Sequence, residues 1–79
     1  FEAEVKQLFA NAAAILKEAG MSFDDVVSAQ VYLTDMELFQ RMNAVYGTYF
    51  KDMKPTRTTV GVAKLVGTAR IEITMTARK

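Results

Sequence analysis

Residues 54–79 alternate apolar and polar side chains with a period of two, and this pattern constrains the fold more than any other. Such alternation is typical of strands that are buried on one face. Val66-Gly67 separates the alternation into two runs, so we expect a hairpin that turns at these two residues. The apolar face of the hairpin would carry Val60, Val62, Ile71, Ile73 and Met75.

The register of this hairpin follows from its apolar face, because a shift by one residue would turn the apolar side chains toward solvent. Gly61 is then expected opposite Glu72, where the absent side chain leaves room beside the carboxylate. That polar face would be a floor for a small anionic ligand. An ordinary solvated sheet face with an incidental charge pair is the alternative, which the alternation alone favours. The face would carry Arg57, Thr59, Gly61, Glu72 and Thr74.

The size of the chain limits its core. We expect a single domain over residues 1–79, and a domain of this size buries only about 60% of its unfolded surface. The sequence contains no cysteine, so disulfides cannot support this core. Because 51% of the residues are hydrophobic, we expect a buried interface between subunits.

Charge and composition argue against several partners. Ten basic and nine acidic residues give a net charge of +1, which is not the footprint of a nucleic-acid-binding surface. No apolar run is long enough to span a membrane. The absence of histidine weakens any zinc site. We expect a cytoplasmic protein, with an organelle such as the mitochondrion as the alternative.

The first half of the chain predicts a helix followed by a strand. Residues 1–19 have helical periodicity, and Gly20 is a natural stop. Ser22 and Asp25 are spaced as a capping box for a single helical turn. Residues 26–33 alternate as a strand, with Val27, Ala29, Val31 and Leu33 expected on one face and Val26, Ser28, Gln30 and Tyr32 on the other.

A second helix is expected to begin at Thr34, because Thr34 and Glu37 match a capping box, and to close before Pro55. Asn43 lies inside its apolar stripe, and a buried amide needs hydrogen-bond partners. A structural hydrogen bond to a loop and a contact with a ligand explain Asn43 equally well. The stripe consists of Phe39, Met42, Tyr46, Tyr49 and Phe50.

The predicted order is helix, strand, helix, strand, strand. A helix between two strands indicates a crossover connection. Two helices on one face of three strands form a small α+β layer. The sequence therefore predicts an α+β fold.

Most catalytic constellations are absent from this sequence, which has no phosphate-binding glycine loop, no nucleophile–histidine pair and no metal-ligand cluster. Arg57 and Glu72 remain. An arginine binds a carboxylate in a bidentate fork, and a glutamate can orient water or move a proton. The pair suits hydrolysis of a small carboxylic acid without a metal or other cofactor.

At these residues the sequence resembles the RidA/YjgF family. Pro55-Thr-Arg57-Thr is similar to the Pro-x-Arg-Ser/Ala signature of that family. The similarity continues in order through residues 26–36, 39–50, 60–65 and 70–73, so it covers essentially the whole chain. Each short motif is weak by itself, whereas their joint order is specific.

The resemblance implies a chorismate-mutase-like α+β fold with two helices on a mixed sheet, and a homotrimer with ligand sites between subunits. It implies hydrolysis of reactive enamines and imines, of the 2-iminobutanoate and 2-iminopropanoate type, to 2-oxo acids and ammonia. Arg57 would bind the substrate carboxylate and Glu72 would orient the attacking water. Asn43 would line or support the site, and Thr59 would offer a hydroxyl where many relatives carry cysteine.

Members of this family also begin with an N-terminal hairpin that carries further site residues. The resemblance therefore implies that residues 1–79 correspond to the C-terminal two-thirds of the usual domain, with N-terminal strands missing. Two other functions stay open. One is a non-catalytic regulatory trimer that binds small carboxylates. The other is an RNA-acting protein or translation inhibitor, against which the lack of histidine and the near-neutral charge argue.

Overall fold

The computed structural model describes residues 1–50 and 55–78. The elements occur in the expected order: helix α1 (Glu2–Glu18), strand β1 (Val26–Leu33), helix α2 (Phe39–Tyr49), strand β2 (Thr56–Gly61) and strand β3 (Ile71–Ala77). Short 3-10 turns at Phe23–Asp25 and Met36–Leu38 precede β1 and α2. The two helices pack on a mixed three-stranded sheet, which confirms the predicted α+β class.

Strand β1 is the central strand of the sheet. It pairs with β2 in parallel on one side and with β3 antiparallel on the other. The parallel pair confirms the expected crossover through α2. The expected hairpin between β2 and β3 is wrong, although the chain does turn at Gly67, where φ is +63°. A hairpin would have left the apolar strand β1 at an edge, whereas the observed order gives it a partner on both sides.

The sheet buries one face against the helices. Ala29, Val31 and Leu33 of β1 have at most 2% of their surface exposed. Because paired residues share a face, their partners in the neighbouring strands lie on the same helix-covered side. Those partners are Arg57, Thr59 and Gly61 in β2 and Met75, Ile73 and Ile71 in β3.

The first residues of β1 depart from the expected alternation. A register shift between Val26 and Ser28 marks a β-bulge opposite the end of β3. Val26 is therefore buried, at 6% exposure, whereas Val27 is 44% exposed. A bulge inserts one extra residue and reverses the faces before it, so the assignment of these two valines was wrong.

Aromatic rings join the two helices. Phe9 of α1 stacks on Tyr49 of α2 with ring centroids 4.3 Å apart and planes at 4°. Phe23 and Phe50 meet the Phe9 ring edge-on at 5.7 and 6.0 Å. Such pairs contribute about 0.5–1.5 kcal/mol each beyond their burial. The cluster fixes α2 against α1 and so fixes the side of α2 that faces the sheet.

The start of β3 is held by polar contacts. The backbone N–H and the Nε of Arg70 donate to the Glu4 carboxylate at 2.8 and 2.9 Å. The Arg70 carbonyl accepts from the backbone N–H of Thr34 at 3.1 Å. The expected cap at Thr34 is therefore wrong: Asp35 accepts from the N–H of Glu37 at 2.9 Å instead, because Thr34 still belongs to the pairing with β3.

A second ion pair joins α1 to α2. Both oxygens of Glu2 accept from Arg41, at 2.7 and 2.6 Å. These hydrogen bonds lower the pKa of Glu2 to about 2, and they raise the pKa of Arg41. As the pH falls from about 4.5 toward 2, the unfolded chain binds a proton at Glu2 before the folded chain does. The stability due to this pair is therefore complete above that window and is lost within it.

We predict that Glu2→Gln removes part of the loss of stability between pH 5 and pH 2. Urea unfolding at fixed pH steps measures this loss. Arg41→Gln should remove the same part, and the double variant should remove no more than either single variant, because one interaction is lost in all three. An acid dependence that is identical in the wild type and in both single variants would contradict this assignment.

Candidate functional site

Arg57 lies on the helix-covered side of β2, against α2. Its Nη1 donates to Oδ1 of Asn43 at 2.5 Å. Its guanidinium carbon lies 4.7 Å from the ring centroid of Tyr46 and 5.6 Å from that of Phe39. Residues 39, 43 and 46 are spaced by four and three, so they share one face of the helix. We call Phe39, Asn43 and Tyr46 the α2 cradle.

A surface cavity opens where the cradle meets β2. It has a volume of about 320 Å³ and is lined by Asn43, Tyr46, Gly47, Pro55 and Arg57. A Cβ atom added at Gly47 would meet nothing within 4 Å, so the helix leaves this wall open. A cavity with an arginine and an amide on one side suits a small anion.

Two buried hydroxyls near Arg57 have no hydrogen-bond partner among the described residues. They belong to Tyr46 and Thr59. Thr59 pairs with the fully buried Val31, which places it on the side of the sheet that carries Arg57. Burial raises the pKa of Tyr46, an effect that the positive charge of Arg57 partly offsets. The Tyr46 hydroxyl is therefore neutral at physiological pH.

Glu72 lies elsewhere. It pairs with Tyr32, on the sheet face opposite the one shared by Ala29 and Arg57. Strand β1 also separates β2 from β3, which adds roughly 10 Å between the two chain segments. The expectation that Arg57 and Glu72 share a face is therefore wrong, because it depended on a hairpin that does not form.

Gly61 is also displaced from its expected role. It pairs with Leu33 on the helix side, and a Cβ there would approach Cγ of Met36 at 3.0 Å. The missing side chain makes room for Met36 and not for a ligand beside Glu72.

The structure thus brings together Arg57 and Asn43. It places Thr59 on the same face of the sheet as Arg57 and leaves Glu72 on the other face. For Asn43 it supplies the partner that the sequence left open, since the amide binds the guanidinium of Arg57. Sequence reasoning assigned Tyr46 and Phe39 to the core alone. The signal for their second role was Asn43, a polar residue placed between two aromatic residues on one helical face.

The described part of the chain contains neither a cluster of metal-binding side chains nor a helix that could cross a membrane. Within residues 1–50 and 55–78, no three acidic, cysteine or histidine side chains cluster as metal ligands would. None of the helices in that part is both long and apolar enough to cross a bilayer.

The fold and the cavity define a small α+β layer with an arginine site between a crossover helix and the strand that follows it. A family model described as "Endoribonuclease L-PSP" matches residues 1–79. A RutC family protein of Aquifex aeolicus is 43% identical over 81 residues, which cover 100% of this chain and 65% of that protein.

Solved structures agree with this match. RidA from the Antarctic bacterium Psychrobacter sp. superposes with a TM-score of 0.91 at 37% identity, covering 95% of this chain and 61% of that one. The yjgF gene product of E. coli superposes with a TM-score of 0.89 at 32% identity, covering 99% of this chain and 65% of that one. The chain belongs to the RidA/YjgF family, and it spans just under two-thirds of the length of these relatives.

We predict that Thr59→Val raises the free energy of unfolding by about 1 kcal/mol. The change removes a buried hydroxyl that has no described partner and keeps a β-branched side chain in the strand. Urea denaturation measures the effect. Thr58→Val, at the neighbouring exposed position, serves as the control and should stay within about 0.5 kcal/mol of the wild type. A clear loss of stability in Thr59→Val would show that the hydroxyl does have a partner.

Proposed function

We propose that Arg57 binds the carboxylate of a small 2-imino acid and that the complete protein hydrolyses such imines to 2-oxo acids and ammonia. The observation that carries this proposal is the geometry of Arg57. Its Nη1 is engaged by Asn43 and its face lies against Tyr46, while the side chain lines an open cavity. Held in this way, the guanidinium can offer its remaining N–H groups to a carboxylate in parallel.

The reaction needs little beyond positioning. Water adds to C2 of the protonated imine, and Glu72 accepts a proton from that water. Glu72 returns that proton to the nitrogen of the resulting carbinolamine. The C–N bond then breaks as the hydroxyl of the carbinolamine gives its proton to Glu72, and ammonia and the 2-oxo acid are released. Positioning of the substrate and placement of charge supply the acceleration. No redox partner is required, because carbon keeps its oxidation state throughout.

A second copy of the chain would supply the glutamate. Arg57 and Glu72 face opposite sides of one sheet, so a single chain cannot place both on one substrate. The face that carries Glu72 also exposes apolar side chains, with Val60 at 39% and Val27 at 44%. A homotrimer, the assembly that the family resemblance implies, would bring Glu72 of one copy to Arg57 of the next. Small exposed apolar groups are suited to such contacts.

The names of the relatives place the chain in its family and do not state a substrate. The matched structure from Psychrobacter sp. is called RidA, and this chain covers 61% of it. The family description names an endoribonuclease. We do not propose ribonuclease activity, because this chain has no histidine and a net charge of +1.

Carboxylate binding without turnover is the second candidate, and one observation favours it. Arg57, Asn43 and Tyr46 meet within a single chain, whereas Glu72 must come from another. A protein with the arginine site, but without Glu72 of another copy beside it, would still bind 2-oxo acids. Calorimetry with 2-oxobutanoate separates binding from release of ammonia.

We predict that the intact protein releases ammonia from freshly generated 2-iminobutanoate faster than buffer does. Arg57→Lys should lower kcat/KM by about 10- to 100-fold, because lysine keeps the charge but loses the bidentate fork. Glu72→Gln should lower kcat and leave 2-oxobutanoate binding nearly unchanged. No acceleration by the wild type, together with tight binding of 2-oxobutanoate, would favour the binding protein.

The two variants together test the shared site. Arg57→Lys and Glu72→Gln are unfolded, mixed in equal amounts and refolded, so that oligomers form from both chains. If each site takes Arg57 and Glu72 from different copies, roughly a quarter of the sites regain both residues. A mixture no more active than the mean of the two separately refolded variants would place both residues in one chain.

A further inference from the structure

Arg57 combines an exposed position with a fixed environment. Strand β2 is an edge strand, and its residue 57 is exposed. An exposed arginine normally samples many rotamers, and fixing it costs about 2 kcal/mol of side-chain entropy. Here one hydrogen bond and two aromatic rings restrict the guanidinium before any ligand arrives.

Tyr46 is the rigid member of the cradle. It is 5% exposed, and its ring packs at 4.8 Å from that of Phe50 and at 5.9 Å from that of Phe9. Its hydroxyl finds no partner among the described residues, so the hydroxyl gives the fold no hydrogen bond there. The Tyr46 ring thus contacts both the aromatic core and the Arg57 guanidinium.

We propose that Tyr46 is a positioning residue, whose ring holds the Arg57 guanidinium toward the cavity so that the affinity for a carboxylate depends on this ring. The inference rests on the proposed carboxylate site. It assigns the effect to the aromatic face and not to the hydroxyl. A preorganised arginine loses less entropy when it binds, so the gain should lie in ground-state affinity.

The experiment compares Tyr46→Leu, Tyr46→Phe and Tyr49→Leu in the intact protein. Tyr46→Leu should weaken 2-oxobutanoate binding about three- to thirty-fold, as expected for a lost cation–π contact. KM for 2-iminobutanoate should rise with it, while kcat changes little. Tyr46→Phe restores the ring and should recover the affinity. Tyr49→Leu is the matched control, since its ring stacks on Phe9 in the core.

A second readout does not depend on any ligand. Relaxation of the ¹⁵Nε–H group of Arg57 in the free protein reports how firmly the side chain is held. The order parameter should fall in Tyr46→Leu and return to the wild-type value in Tyr46→Phe. If Tyr46→Leu does not fold, Phe39→Leu removes the more distant ring and should produce the same changes at smaller size.

Four results would overturn the inference. Wild-type affinity in a folded Tyr46→Leu, or in Phe39→Leu when that variant stands in for it, would show that the ring does not matter. Equal losses in Tyr46→Phe and Tyr46→Leu would shift the role to the hydroxyl. An equal loss in Tyr49→Leu would indicate general loosening of the core. Binding without ammonia release in the wild type would remove the deaminase proposal and leave this inference standing, whereas a wild type that binds no 2-oxobutanoate would remove both.

Discussion

The burial of β1 is the constraint on which the rest of the structure depends. Its residues Ala29, Val31 and Leu33 are nearly inaccessible to solvent, and the strand has a partner on each side. A strand buried in this way must be flanked on both edges, since unpaired backbone groups in the interior are costly. The parallel partner β2 then requires a crossover, which α2 supplies.

The crossover also builds the arginine site. Helix α2 must present an apolar face to the sheet, and its aromatic residues serve that purpose. Because β2 begins where the crossover returns to the sheet, Arg57 emerges directly against that face. Asn43 and Tyr46 then contact the guanidinium. Oδ1 of Asn43 accepts a hydrogen bond from it at 2.5 Å, and the centroid of the Tyr46 ring lies 4.7 Å from its central carbon. The packing that stabilises the fold thus also orients the charge.

Local patterns in the sequence predicted the elements well. The bounds of β1, the stop at Gly20 and the capping box of Ser22 with Asp25 are confirmed, because each depends on neighbours within a few residues. The partner of β3 was wrong, since strand pairing is decided by burial across the whole sheet. Helix α2 ends at Tyr49, before Pro55 as expected, whereas residues 51–54, to which its closing was also assigned, lie outside the described residues.

The site residues also divide into those that local sequence predicted and those that depend on strand pairing. Arg57 and Asn43 were identified from residue type and position, and the structure joins them. The prediction that Glu72 lies beside Arg57 was wrong. The face of the sheet on which each side chain lies depends on how β2 and β3 pair with β1, the strand between them. The contact of Tyr46 with Arg57 was not predicted, since an aromatic residue on an apolar helical face is normally assigned to the core.

The most direct test of this account is a crystal structure of the intact protein with 2-oxobutanoate. The account predicts a carboxylate held by two N–H groups of Arg57, with the guanidinium still against Tyr46 and Asn43. It also predicts that Glu72 from a neighbouring copy lies closest to the keto carbon. A ligand bound away from Arg57, or a site completed by Glu72 of the same copy, would contradict it.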